Sequence, residues 1–191
     1  MSLKILQAAA AIENSDEFNE ARLLLLLMAA SGREEKPKPL EGIMKLAKMD
    51  FLLRYPNILV RALNLIGETR KSARDAAATI PEQDRDTIEA RMIRFRFGPW
   101  DPRYRRWLCI LVAKQLAVVY REGRTVKIQL TKRGIEVAKG LANTEIFQPL
   151  LGRAKAVNMA VGGMSSTRIT EFVYQIAPEI KNMKWGGSIN L

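Results

Sequence analysis

The chain contains no histidine and a single cysteine, Cys109, among its 191 residues. Without histidine there is no imidazole to act as a general base near neutral pH, which excludes histidine-assisted serine or cysteine hydrolysis and most zinc sites. One cysteine cannot close an internal disulfide. That points to a reducing, cytoplasmic setting, and the apolar run Trp107-Leu-Cys-Ile-Leu-Val112 predicts a small core residue at Cys109. Long apolar runs are also missing. The longest, Leu23 to Ala30, is bounded by Arg22 and Ser31 and falls short of the roughly 18 residues a membrane span needs, so it predicts a buried core helix and no membrane contact. Met1 to Ile12 faintly resembles a signal sequence, but Glu13, Asp16 and Glu17 stand where cleavage would occur, which predicts a short helical lead-in instead. A hydrophobic content of 48% suits one ordinary globular domain, or one domain plus helical elaborations.

Acidic residues are scarce in one segment. Residues 91 to 133 carry twelve basic side chains against Asp101 and Glu122, a net of +10, while the whole chain has a net of +11. The other residues therefore contribute only +1. A solvated surface would scatter its charge, so the concentration predicts a face for a polyanion such as double-stranded DNA.

Ser15 followed by Asp16 and Glu17 reads as a helix N-cap with acids in the first turn, and the leucine run carries that helix to Ser31-Gly32. Residues 33 to 41, with two prolines and mixed charge, predict an exposed loop. Helices follow from about Gly42 to Arg54 and from Asn57 to Ile66, interrupted at Tyr55-Pro56. An Ala-rich, charged surface insertion is expected near 67 to 88. Met92 to Phe97 alternates apolar and basic residues, the pattern of a strand with one wet face, ended by Gly98-Pro-Trp-Asp-Pro102. A helix is expected over Arg103 to Leu116, with Tyr104, Trp107, Leu108, Leu111, Val112 and Gln115 inward and Arg103, Arg106, Ile110, Ala113 and Lys114 on the outer sectors. Ala117 to Arg121 and Thr125 to Leu130 predict a hairpin, with Val126, Ile128 and Leu130 on its buried face. Thr131 then caps a helix with Ile135, Ala138 and Leu141 inward. Two more helices are expected at about 144 to 160 and 167 to 181, joined by a turn or hinge at Gly162-Gly163.

The fold class expected is mainly α with a small β wing: a winged helix-turn-helix with an insertion and additional C-terminal helices. Residues 1 to 142 would be the winged-helix domain and 143 to 191 a C-terminal helical extension. The helices near 18 to 31 and 42 to 54 would be its first two, and 103 to 116 its recognition-type third. Arg103, Arg105, Arg106 and Lys114 on that helix, with Arg121, Arg124 and Lys127 on the wing, are the candidate DNA-binding residues. That helix offers no Asn or Gln for base readout at its exposed positions, so phosphate contact is expected. Glu179-Ile-Lys181 is half of a metal-dependent nuclease signature, but it follows a helical pattern rather than lying on a sheet. Gly162-Gly163 lacks the Gly-Lys-Ser/Thr of a phosphate loop. Asp50 is expected to be structural, paired with Lys45 or Arg54. No catalytic residue, metal site or cofactor is expected.

Three stretches carry a resemblance: Gly42-Ile-Met-Lys-Leu-Ala-Lys-Met-Asp50-Phe-Leu-Leu-Arg54-Tyr-Pro56, Gly98-Pro-Trp-Asp-Pro-Arg-Tyr104 and Leu130-Thr-Lys-Arg-Gly134. Together, over about residues 20 to 142, they resemble the middle component of bacterial ABC-three-component systems, which are similar to Lamassu-type antiviral defence systems. The resemblance implies a non-catalytic winged-helix accessory subunit encoded beside an SMC-like ATPase with a long coiled coil and a nuclease-type effector, bridging the two and responding to foreign DNA of phage or plasmid. Self-association through apolar helices is a further expectation. The rival expectations are a free-standing winged-helix transcriptional regulator, which needs two half-sites for a dimer, and an adaptor whose basic face meets acidic protein.

Overall fold

Helix α1 (Asp16–Ser31) begins where Ser15 accepts a hydrogen bond from the Phe18 amide at 3.0 Å and ends at Gly32 with φ 75°. The computed structural model describes residues 15–32, 37–85 and 91–191. The expected lead-in Met1 to Ile12 lies outside them, as do residues 33–36 of the expected loop and 86–88 at the end of the insertion. Leu23 through Leu27 are all buried, so α1 is central as its all-round apolar sequence implies. Each leucine contributes roughly 1.5–3 kcal/mol of burial energy.

The expected loop over 33 to 41 needs correcting at its end, because Leu40–Glu41 forms strand β1, with Leu40 buried. Helices α2 (Ile43–Arg54) and α3 (Pro56–Gly67) meet at Tyr55, where Pro56 takes the first-turn position that needs no amide hydrogen. The insertion folds as α4 (Lys71–Ala78) and α5 (Glu82–Arg85), anchored by the buried Ala73, Ala77 and Ile80.

The single strand expected over 92 to 97 is instead a small hairpin of β2 (Ile93–Phe95) and β3 (Gly98–Trp100). Its wet face is inverted. Arg94 is buried, donating from Nε to the Ile180 carbonyl at 2.9 Å, while Phe95 and Phe97 are exposed. The carbonyl and the ring of Tyr174, 5.7 Å from the guanidinium, explain why the cation goes in.

Helix α6 (Tyr104–Ala113) buries Tyr104, Trp107, Leu108 and Leu111. It stops short of the expected Leu116, and Gln115, at φ 59°, turns the chain into β4 (Ala117–Glu122). Val112 and Gln115 are therefore exposed rather than inward. Strand β5 (Thr125–Leu130) completes the expected hairpin, with Gly123 at φ 58° opening the two-residue turn. Both β1 and β4 pair antiparallel with β5, giving the order β1-β5-β4. Thr131 caps α7 (Lys132–Ala142), accepting from the Gly134 amide at 3.0 Å. A side chain at Gly134 would stand 1.8 Å from the Leu116 carbonyl oxygen, so glycine is what lets α7 lie against the turn between α6 and β4.

After a 3-10 turn at Glu145–Phe147 come α8 (Gln148–Val161), α9 (Ser166–Ile176) and α10 (Glu179–Asn182). The helix expected over 167 to 181 is broken at Ala177-Pro178, and Gly162-Gly163 is the expected turn. Residues 143 to 191 are not peripheral. Leu150, Leu151, Ala154, Val157 and Val161 of α8 belong to the same core as the leucines of α1. The molecule is mainly helical with a small antiparallel sheet, and among the described residues no helix is long and apolar enough to cross a membrane.

Candidate nucleic-acid interface

The N-terminal half of α6 sits on a buried charge network. Asp50, in the middle of α2, accepts from Arg22 Nε at 2.8 Å, Arg54 Nε at 2.8 Å and Tyr104 Oη at 2.6 Å. Lys45, the other partner expected for Asp50, instead donates to the Gly162 carbonyl at 2.8 Å. Arg54 continues through Nη1 to Asp101 at 2.9 Å, and Asp101 also accepts from Arg103 Nε at 3.0 Å and Nη2 at 2.9 Å. The guanidinium groups of Arg22, Arg54 and Arg103 lie 5.6, 5.5 and 4.8 Å from the ring of Trp107. Burial alone would raise the Asp50 carboxyl, but Arg22 and Arg54 overcome it and hold the group at about 2. The Tyr104 hydroxyl moves the other way, pushed up by burial and by Asp50, and remains a donor. Asp50, Arg54, Asp101, Arg103 and Tyr104 all belong to the first two stretches quoted above. Those stretches meet in space as one structural joint.

The seven candidate residues have different surroundings. Arg103 belongs to the joint, held by Asp101 and lying over Trp107. Arg106 pairs with Asp16 at 2.5 Å and Lys114 with Glu20 at 2.6 Å, so both lean toward α1. Lys127 is buried between Glu41 of β1 and Glu122 of β4, 3.2 Å from the latter, and both carboxylates raise its pKa. Arg105, Arg121 and Arg124 are exposed, and no carboxylate pairs with them among the described residues. Arg121 only reaches back to the Gly123 carbonyl at 3.0 Å. Lys132 and Arg133, at the start of α7, are likewise exposed and were not among the candidates; their place directly after the wing was the available signal.

Alongside these arginines lies an open groove of about 590 Å³ that the sequence reading missed. It is lined by Arg105, Cys109, Val112 and Ala113 of α6 and by Val119 and Val126 of the hairpin. Cys109 is thus exposed, which corrects its expected core position. At 100° per residue it stands about 200° around the helix from Trp107, so the wheel placed it outward although the run around it is apolar.

Glu179 pairs with Arg61 at 3.1 Å, and Lys181 lies 5.5 Å from the Tyr174 ring. No cluster of three or more metal-ligating side chains occurs among the described residues. Lys48 is fully enclosed in the middle of α2, its ammonium donating to the Met44 carbonyl at 3.3 Å, and burial pushes its pKa down to about 8. Compared with known proteins, the chain matches no family model, no curated protein and no solved structure.

Proposed function

We propose that this protein is a non-enzymatic winged-helix subunit that grips duplex DNA by its backbone as part of a larger machine, the SMC-like ATPase assembly implied by the sequence resemblance. The winged-helix reading rests on connectivity: α1, β1, α2, then α6 and the β4–β5 hairpin, with α3, the insertion and the β2–β3 hairpin between the second helix and the third. A short first strand pairing with the last, in the order β1-β5-β4, supports it further.

The observation that carries the DNA reading is the set of cations left over once internal pairs are set aside. Asp16, Glu20 and Glu41, all from outside the basic segment, engage Arg106, Lys114 and Lys127. Arg105, Arg121 and Arg124 keep their charge for an external anion. Exposed pairs such as Arg106–Asp16 are weak, and a phosphate would compete with them.

Charge reversal of Arg105, Arg121 and Arg124 tests the reading. Duplex affinity should fall for every sequence alike, and the slope of log affinity against log salt should flatten by about 0.9 for each arginine that met a phosphate. Unchanged affinity overturns the reading, and preference for one palindromic site replaces it with a dimeric regulator. Arg103 is left out of the test because its loss would open the buried joint.

A further inference from the structure

One edge of the three-stranded sheet is closed and the other is open. On the closed side, β1 covers β5 with two residues, Leu40 opposite the buried Ile128 and Glu41 opposite Lys127. On the open side, nothing among the described residues pairs the outer edge of β4. Five of its six residues are exposed, and three of them, Val118, Val119 and Tyr120, are consecutive and apolar. An edge of that kind is a template for another strand, and proteins ordinarily blunt it with charge, proline or a covering loop.

The faces of β4 differ. Val119 is opposite Ile128 and Arg121 opposite Val126, so these residues share the sheet face that opens onto Cys109 and Val112 of α6. A strand laid beside β4 would set alternate side chains over this apolar groove and the others beside Val118 and Tyr120. Charge chooses the partner. Arg105 lines the groove, Arg121 shares its sheet face and Arg124 stands at the turn, while Glu122, the carboxylate of β4, is held by Lys127. A second copy, itself at +11, would bring the same cations to the rim. The closed edge already displays the fitting chemistry in Leu40-Glu41, an apolar residue beside an acid.

We infer that the open edge of β4 and its groove receive an extended segment of a partner protein, apolar at alternate positions and flanked by Asp or Glu, added as a fourth strand. The site goes beyond the DNA reading, because neither the pairing edge nor the apolar floor is a phosphate contact.

Cys109, the sole cysteine, is a built-in reporter. A random twelve-residue peptide display library is selected on the full chain, and the enriched peptides are synthesised. They should carry alternating apolar residues with acidic ends, slow iodoacetamide alkylation of Cys109 at least tenfold, and protect the amides of residues 118 to 122 from hydrogen exchange. In the double variant Val112→Ser, Val119→Thr, both residues being about two-fifths exposed in the native protein, peptide affinity should drop at least tenfold while duplex affinity is unchanged. Unchanged duplex affinity in the arginine reversals above, with peptide selection intact in the wild type, would be failure of the DNA reading alone; loss of duplex affinity in those reversals, with no such peptide enriched, would be failure of this inference alone. The inference is overturned by enriched peptides that lack acids or protect another surface, by protection of Cys109 by duplex DNA and by no peptide, or by a Cys109 already unreactive in the dilute free chain. Alkylation that slows as protein concentration rises also overturns it, in favour of a second copy.

Discussion

Around Trp107, Arg22, Arg54 and Arg103 share Asp50 and Asp101, with Arg22 and Arg54 fully buried; around Val119, Arg105, Arg121 and Arg124 stand in solvent without a carboxylate among the described residues. The same side chain has opposite roles on the two sides of α6. A guanidinium enclosed with a matched carboxylate fixes one helix against another, and its charge never reaches a ligand. One left in water adds little to folding but a full charge to the surface field. Counting arginines along the chain cannot separate these cases, because what decides them is where the acids lie.

The largest break in this contrast should come from Asp50→Ala, which strands Arg22 and Arg54 without their shared counter-ion and should cost about 3–5 kcal/mol in urea unfolding. A loss of under about 1 kcal/mol would mean that water or Asp101 takes over. Acid is the next lever. Because the folded Asp50 carboxyl lies at about 2 against its ordinary 3.8, its contribution is fully present above pH 3.8 and is lost as pH falls through about 2. The displacement corresponds to about 2 kcal/mol, readable as a shift in urea midpoint between pH 5 and pH 2. Lys48 sharpens the comparison from the other side, as an enclosed cation with only a carbonyl to meet. Its folded pKa of about 8 lies below the ordinary 10.5, so the unfolded chain holds more protons between those values and stability should climb with pH there. Lys48→Met should abolish that climb and raise stability at pH 7 by about 1–2 kcal/mol. Smallest of all, Arg121→Ala with Arg124→Ala should change unfolding by less than about 0.5 kcal/mol, while duplex affinity falls measurably at low salt.

Much of the fold is legible because its signals are local. Ser15 and Thr131 cap the helices they were expected to cap, the break expected at Tyr55-Pro56 is where α2 gives way to α3, and the β4–β5 hairpin follows from two strand-like runs around Gly123, the second of them alternating. What escaped depends on residues far away in sequence. Arg22 meets Asp50 across 28 positions, and Arg94 turns inward for a carbonyl 86 positions on. No alternation rule contains those partners. Leu40–Glu41 looks like loop sequence until β5 is beside it. Cys109 differs: its apolar neighbours in sequence suggest a core position, but the 100° geometry of the helix that carries it turns it to the surface. The cations of the candidate interface lie in one segment of the sequence, but Glu20 and Glu41, which engage two of them, lie outside it.

Helix α8 also bears on how the chain is made. The ribosome releases α1, α2 and α3 well before residues 148 to 161, yet α8 fills the space between them, and the Tyr55 hydroxyl waits for the Ile189 carbonyl at 2.9 Å. During synthesis, at roughly 5–20 residues per second, the leucines of α1 therefore remain unshielded for several seconds. That interval is when a chaperone would have first access to them.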